Sequence, residues 1–150
     1  MRGSALNRRK VLTALATLSA SSVVRADDLE FLSFGGLYKS FGVLGYEFAD
    51  RVRALSGKRV SMAGYMAPPL TAESTFFVLT REPLAICPFC QSDADWPVDI
   101  LVVYLEQATP LVTAGAKVVV AGELEVGSWA DPETGFVSQI RLRHAAYRRA

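Results

Sequence analysis

Lys117-Val118-Val119-Val120-Ala121-Gly122-Glu123-Leu124-Glu125-Val126 is the stretch on which the fold turns. Val118, Val120, Leu124 and Val126 recur every second residue, and Lys117, Glu123 and Glu125 take the alternate positions. That period of two is the signature of a strand with one buried and one wet face. Gly122 interrupts it as a bulge or bend. Downstream, Phe136, Ile140 and Leu142 alternate with Gln139, Arg141 and Arg143 in a last strand. The turn-rich segment Ser128 to Gly135, with Asp131-Pro132 and Thr134-Gly135, makes the two a long hairpin.

Working back from the hairpin, Val98 to Leu105 is a continuous β-branched and aliphatic run, expected as a central strand buried on both sides. Thr75 to Thr80 and Arg59 to Met66 read as two further strands, separated by Pro68-Pro69 and Ala72-Glu73-Ser74. Between Tyr46 and Leu55, Phe48, Val52 and Leu55 fall at i, i+4 and i+7. This spacing predicts a short helix that Ser56-Gly57 stops. Residues 27–45, with Phe31, Phe34, Leu37, Tyr38 and Phe41 among glycines, read as an irregular lead-in. The sum is mainly β: a small five-stranded OB-like barrel with one short helix, closure removing exposed edges. An open α+β sheet is the alternative.

Residues 1–26 have the layout of a secretory signal peptide. Met1 to Lys10 is basic and polar. Val11 to Val24 is apolar but diluted by hydroxyl residues, and too short for the roughly 20 apolar residues of a spanning helix. Val24-Arg25-Ala26 offers a cleavage point after Ala26. Arg8-Arg9 followed by Lys10-Val11-Leu12 resembles the bacterial twin-arginine export signal, an ordinary Sec signal being the other reading. The mature part, 27–150, is then one periplasmic or secreted domain with no transmembrane span. Five of the 16 basic residues and none of the 15 acidic ones precede Asp27, which leaves 11 against 15, a net of −4. An acidic domain lacks the electrostatic footprint of a nucleic-acid binder.

Chemistry-bearing residues are few. There is no G-x-S-x-G, and His144 is the one histidine in the 150 residues. The informative segment is Cys87-Pro88-Phe89-Cys90-Gln91-Ser92-Asp93-Ala94-Asp95-Trp96-Pro97, between the second and third predicted strands. Two residues between the cysteines bring both sulfurs within reach of each other or of one metal ion. Three roles compete: a disulfide clamp suited to an oxidising compartment, a redox-active pair, and half of a site for zinc or copper. In the last, Asp93, Asp95 or His144 would complete the ligand set.

Residues from about Leu55 to Ala145 resemble a family of bacterial periplasmic and lipoprotein-type OB-like domains of unknown function. The resemblance is carried by Gly57-Lys58-Arg59-Val60, Gly64-Tyr65-Met66, Phe76-Phe77-Val78-Leu79, Cys87 to Cys90, and Gly115 to Leu124. It implies an accessory or metal-handling role beside envelope ABC-type transporters, some linked to zinc supply, and no known catalysis. This chain departs from the family's pattern in two ways: Pro88 lies inside the cysteine pair, and Asp93-Ala94-Asp95-Trp96 replaces a proline-rich stretch. The resulting expectation is an exported, non-enzymatic binding domain. A thiol-disulfide redox protein, a metallochaperone and a purely structural domain are its competitors.

Overall fold

A computed structural model describes residues 29–42, 45–68, 75–83, 97–108, 110 and 112–150. The described chain is mainly β. Its strands are β1 (Glu30–Leu32), β2 (Tyr38–Gly42), β3 (Gly45–Phe48), β4 (Arg59–Met66), β5 (Phe76–Thr80), β6 (Ile100–Leu105), β7 (Lys117–Ala130) and β8 (Val137–Arg149). One short helix, α1 (Asp50–Ala54), and a 3-10 turn at Phe34–Gly36 complete it.

The main sheet runs β1-β4-β5-β6-β8-β7, and β7 pairs again with β4, so the hydrogen-bonded order returns to its second strand. The β6–β8 and β1–β4 pairings are parallel, and the others in this sheet are antiparallel. Strand β4 serves both sides of the circuit. Arg59 to Tyr65 pair with β7, whereas Tyr65 and Met66 pair with β5. Gly64 makes that double use feasible, because a Cβ there would meet the Thr80 carbonyl at 2.7 Å and Leu79 Cγ at 2.8 Å.

The alternation read from the sequence is what fills the interior. Val60, Met62, Phe77, Leu79, Leu101, Val103, Val118, Val120, Leu124, Ile140 and Leu142 are all buried in one cluster. On the other face of β5 and β6, Phe76, Val78, Ile100 and Val102 form a second buried cluster with Ala67. The central-strand reading of the Val98 to Leu105 run therefore holds for Ile100–Val103, buried throughout, while Val98 and Asp99 lie in a turn before it.

Four expectations need correction. Eight strands are described, six of them in the main sheet, where five were expected. The lead-in is not irregular: β1 adds to β4, and β2 and β3 form an antiparallel hairpin. The helix is shorter than Tyr46 to Leu55, because Tyr46 and Phe48 belong to β3. There their rings pack with Tyr38, at centroid distances of 5.5 Å and 5.1 Å. An aromatic cross-strand cluster outweighs a helical spacing carried by three residues. Val52 remains the buried residue of α1. Both hairpin strands also run longer than read, β7 through Trp129 to Ala130 and β8 to Arg149. No helix among the described residues is long and apolar enough to cross a membrane.

Candidate functional site: an aromatic and arginine face

The Lys117–Val126 strand and its partner carry two bulges, and these shape the surface. In β8 the pairs Ala121↔Ala146 and Glu123↔Arg143 on one side, with Val103↔Leu142 and Leu105↔Ala145 on the other, leave one extra residue, His144. Its φ of 46° is the left-handed conformation that histidine adopts more readily than β-branched residues do. The bulge points Ala145 inward and leaves Arg141 and Arg143 neighbours on one face. Gly122 sits opposite it, where a Cβ would lie 2.8 Å from the Arg143 carbonyl oxygen. The bend anticipated at Gly122 is thus real, with its extra residue on the partner strand.

The second bulge falls in β7 between Val126 and Trp129, where Gly127 has φ 116°. It frees the Gly127 carbonyl, which accepts a hydrogen bond from Arg141 Nη1 at 2.9 Å. Arg141 also donates to Ser138 Oγ (3.3 Å) and through Nε to Glu125 Oε2 (2.6 Å). With 6% of its surface exposed, Arg141 is an internal brace held through Nε and Nη1. Arg143 Nε donates to the same Glu125 oxygen at 3.1 Å.

Arg143 is different in what it leaves open. Its guanidinium lies 3.9 Å from the Trp129 ring centre and 4.9 Å from that of Tyr104, close enough for strong cation–π attraction. Trp129 meets Tyr104 edge-on at 5.4 Å, and Phe76 stacks on Tyr104 at 5.3 Å and on Phe136 at 6.1 Å. Only Nε of Arg143 is hydrogen-bonded among the described residues; the two Nη nitrogens are not.

The titrating groups here are held away from neutral pH. Burial raises the Glu125 carboxyl, but hydrogen bonds and charge from Arg141 and Arg143 outweigh it and leave the group below its ordinary value. Burial likewise raises Asp131, and backbone N–H donors at Glu133 and Thr134 more than reverse it. The Tyr104 phenol is pushed up, first by burial and then by the Asp131 carboxylate beside it. Its hydroxyl is buried without a well-formed hydrogen bond. Glu125 and Asp131 therefore stay charged and Tyr104 stays protonated near pH 7.

No family model matches this sequence, and no curated protein does. A solved structure does. The chain is similar in fold to a DUF3299 family protein from Pseudomonas aeruginosa, with a TM-score of 0.53 and 11% identity, over 81% of this chain and 97% of that one. At that identity the likeness is one of fold.

Of the residues singled out from sequence, Cys87, Cys90, Asp93, Asp95, Arg8, Arg9 and Ala26 lie outside the described residues. His144 is exposed at its bulge. Among the described residues no three of His, Cys, Asp and Glu gather in a group able to hold a metal. The aromatic–arginine face escaped the sequence reading. Its members come from β5, β6, β7, β8 and the turn before β8, joined by the Phe76↔Tyr104 strand pairing and by the hairpin with its bulges. The one available signal was Arg141 and Arg143 opposite Glu125 across a predicted hairpin.

Proposed function

We propose that this chain is an exported, non-enzymatic binding domain of the cell envelope, built as an OB-like barrel. Its ligand sits on the face of Tyr104, Trp129 and Arg143. The barrel reading is supported by the circuit β4-β5-β6-β8-β7-β4 with its parallel β6–β8 pairing. Folds of this kind bind on their second and third strands and on the loop between the fourth and fifth. Here those are β5, β6 and the β7–β8 turn, which supply Phe76, Tyr104, Trp129 and Phe136.

The observation that carries the proposal is the Arg143 guanidinium, over the Trp129 ring and beside Tyr104, with both Nη nitrogens uncommitted among the described residues. A planar fork beside a flat apolar surface suits a carboxylate or phosphate attached to a ring. The test is titration of the full chain with inorganic phosphate and with acetate, followed at the Trp129 indole N–H by NMR. We expect saturable shifts that disappear in Arg143→Ala; an unresponsive indole in the parent protein rejects this face as the ligand site.

Metal handling for an ABC-type transporter remains part of the proposal through Cys87 and Cys90. Two thiolates suit zinc or cuprous copper. Protein purified anaerobically from a reducing cytoplasm should carry metal that Cys90→Ser removes; metal-free protein with a readily oxidised pair would make the loop a clamp. Export is read by fractionation. Arg8→Lys with Arg9→Lys should hold the chain in the cytoplasm, and unchanged export would exclude the twin-arginine route.

A further inference from the structure

Away from the aromatic face, three open spaces adjoin to form one groove. An open trough of about 460 Å³ lies over β1, β4, β7 and β8. Its floor is the cross-strand row Phe31, Ser61, Ala121 and Ala146. Phe31 is shared with a cleft of about 420 Å³ between residues 33–35 and residues 63–65 of β4. Phe34, Gly35 and Arg81 are shared in turn between that cleft and a hollow of about 100 Å³, which reaches Phe41. Phe31 and Phe41 are 54% and 67% exposed, so large apolar side chains stand open along the groove.

The charge along this path has one sign. Arg81, Lys117 and Arg148 line it against a single carboxylate, Asp99. Lys117 and Arg81 line the same cleft, and the Lys117 ammonium lies 6.0 Å from the Tyr65 ring centre. Among the described residues neither Lys117 nor Arg148 has a carboxylate partner. Arg81 meets Asp99 at 3.4 Å with more than half of each side chain exposed, and an incoming anion competes readily with so weak a pair. Residues 27–150 as a whole hold 11 basic and 15 acidic residues, so the groove is basic against the trend of the domain. Such a contrast draws a negatively charged partner to this one path and repels it elsewhere.

Three adjoining spaces suit an extended chain better than one compact molecule. Cations standing among exposed rings suit a chain that carries both carboxylates and apolar side chains. A nucleic-acid strand also offers rings, but it brings a charge on every unit into a domain of net −4. We infer that the groove binds an acidic, extended segment of a partner polypeptide. Its carboxylates meet Arg81, Lys117 and Arg148, and its apolar side chains meet Phe31 and Phe41. None of the residues of the Arg143 face lines this groove, so the two sites stand or fall separately.

The test titrates the full chain into a fluorescein-labelled peptide of alternating Glu and Phe, read by anisotropy. Binding should saturate, and replacing the peptide's Glu by Gln should weaken it. Lys117→Gln should cost about fivefold, the upper effect of one exposed charge pair. Arg81→Gln, Lys117→Gln and Arg148→Gln together should cost about tenfold or more, with an unchanged far-ultraviolet spectrum and melting still cooperative. Phe31→Ser should also weaken binding. No saturation, equal binding of the Glu and Gln peptides, or a triple variant that binds like the parent would overturn the inference. So would binding lost in Arg143→Ala but kept in the triple variant, which moves the peptide to the other face. Preference for an oligothymidylate, or a dimer in sedimentation that Phe31→Ser dissociates, would overturn it in favour of nucleic acid or a second copy.

Discussion

Gly122 and His144 show how much one backbone position decides. The β8 bulge needs a left-handed residue on one strand and no side chain on the other. Gly122→Ala would place its methyl 2.9 Å from the Ala145 Cβ. We expect a loss of about 1–3 kcal/mol, the usual range for overpacking, read as a lower urea midpoint at constant slope. His144→Val should cost about 1–2 kcal/mol because a β-branched residue resists φ near 46°. His144→Asn should be near neutral, and equal losses in both variants would remove backbone conformation as the cause. Tyr104→Phe is the opposite case. Its hydroxyl is buried without a well-formed bond, so removing it should leave stability unchanged or raised. A clear loss would mean that the Asp131 carboxylate accepts from it after all.

At the scale of elements, the β7–β8 hairpin is stitched by one carboxylate shared between two arginines. Glu125→Gln keeps an acceptor but removes the charge facing the buried Arg141, and we expect about 1–3 kcal/mol of destabilisation, the range for a weakened bond to a charged group. The pH dependence has a definite sign. The folded-state pKa of Glu125 lies below its unfolded value, so its contribution is present above about pH 4.5 and is lost as pH falls through the folded value. Thermal melts of parent and Glu125→Gln should therefore converge as pH drops from 5 towards 3. A gap of constant size down to acid would show that the charge is not what matters. The hairpin is also where the sequence was most legible. Alternation identified Val118, Val120, Leu124, Ile140 and Leu142 as inward, and all are fully buried. Alternation has no term for aromatic pairing across a short hairpin, so β2 and β3 carry no period of two that marks them as strands.

Across the whole molecule, stability rests on a circuit in which each strand from β4 to β8 is held on both sides. Phe77 is fully buried inside it and meets Tyr147 edge-on at 5.5 Å. Phe77→Ala should cost about 3–5 kcal/mol as a core cavity, whereas Phe31→Ser on the open trough should stay within about 0.5 kcal/mol. Comparable losses would place Phe31 under a cover that persists in the folded domain. By itself the sequence determined the strand character of β4 to β8 and which residues of the β7–β8 hairpin face inward, because a period of two is local and burial follows it. It also confined any thiol chemistry to one C-x-x-C segment, since Cys87 and Cys90 are the only cysteines in the chain. Only the tertiary structure decided that β6 runs beside β8, that β7 returns to β4, and that Trp129 lies against Arg143. Those contacts are set by strand pairing between separate segments and, at Trp129 and Arg143, by bulges, none of which a local periodicity encodes.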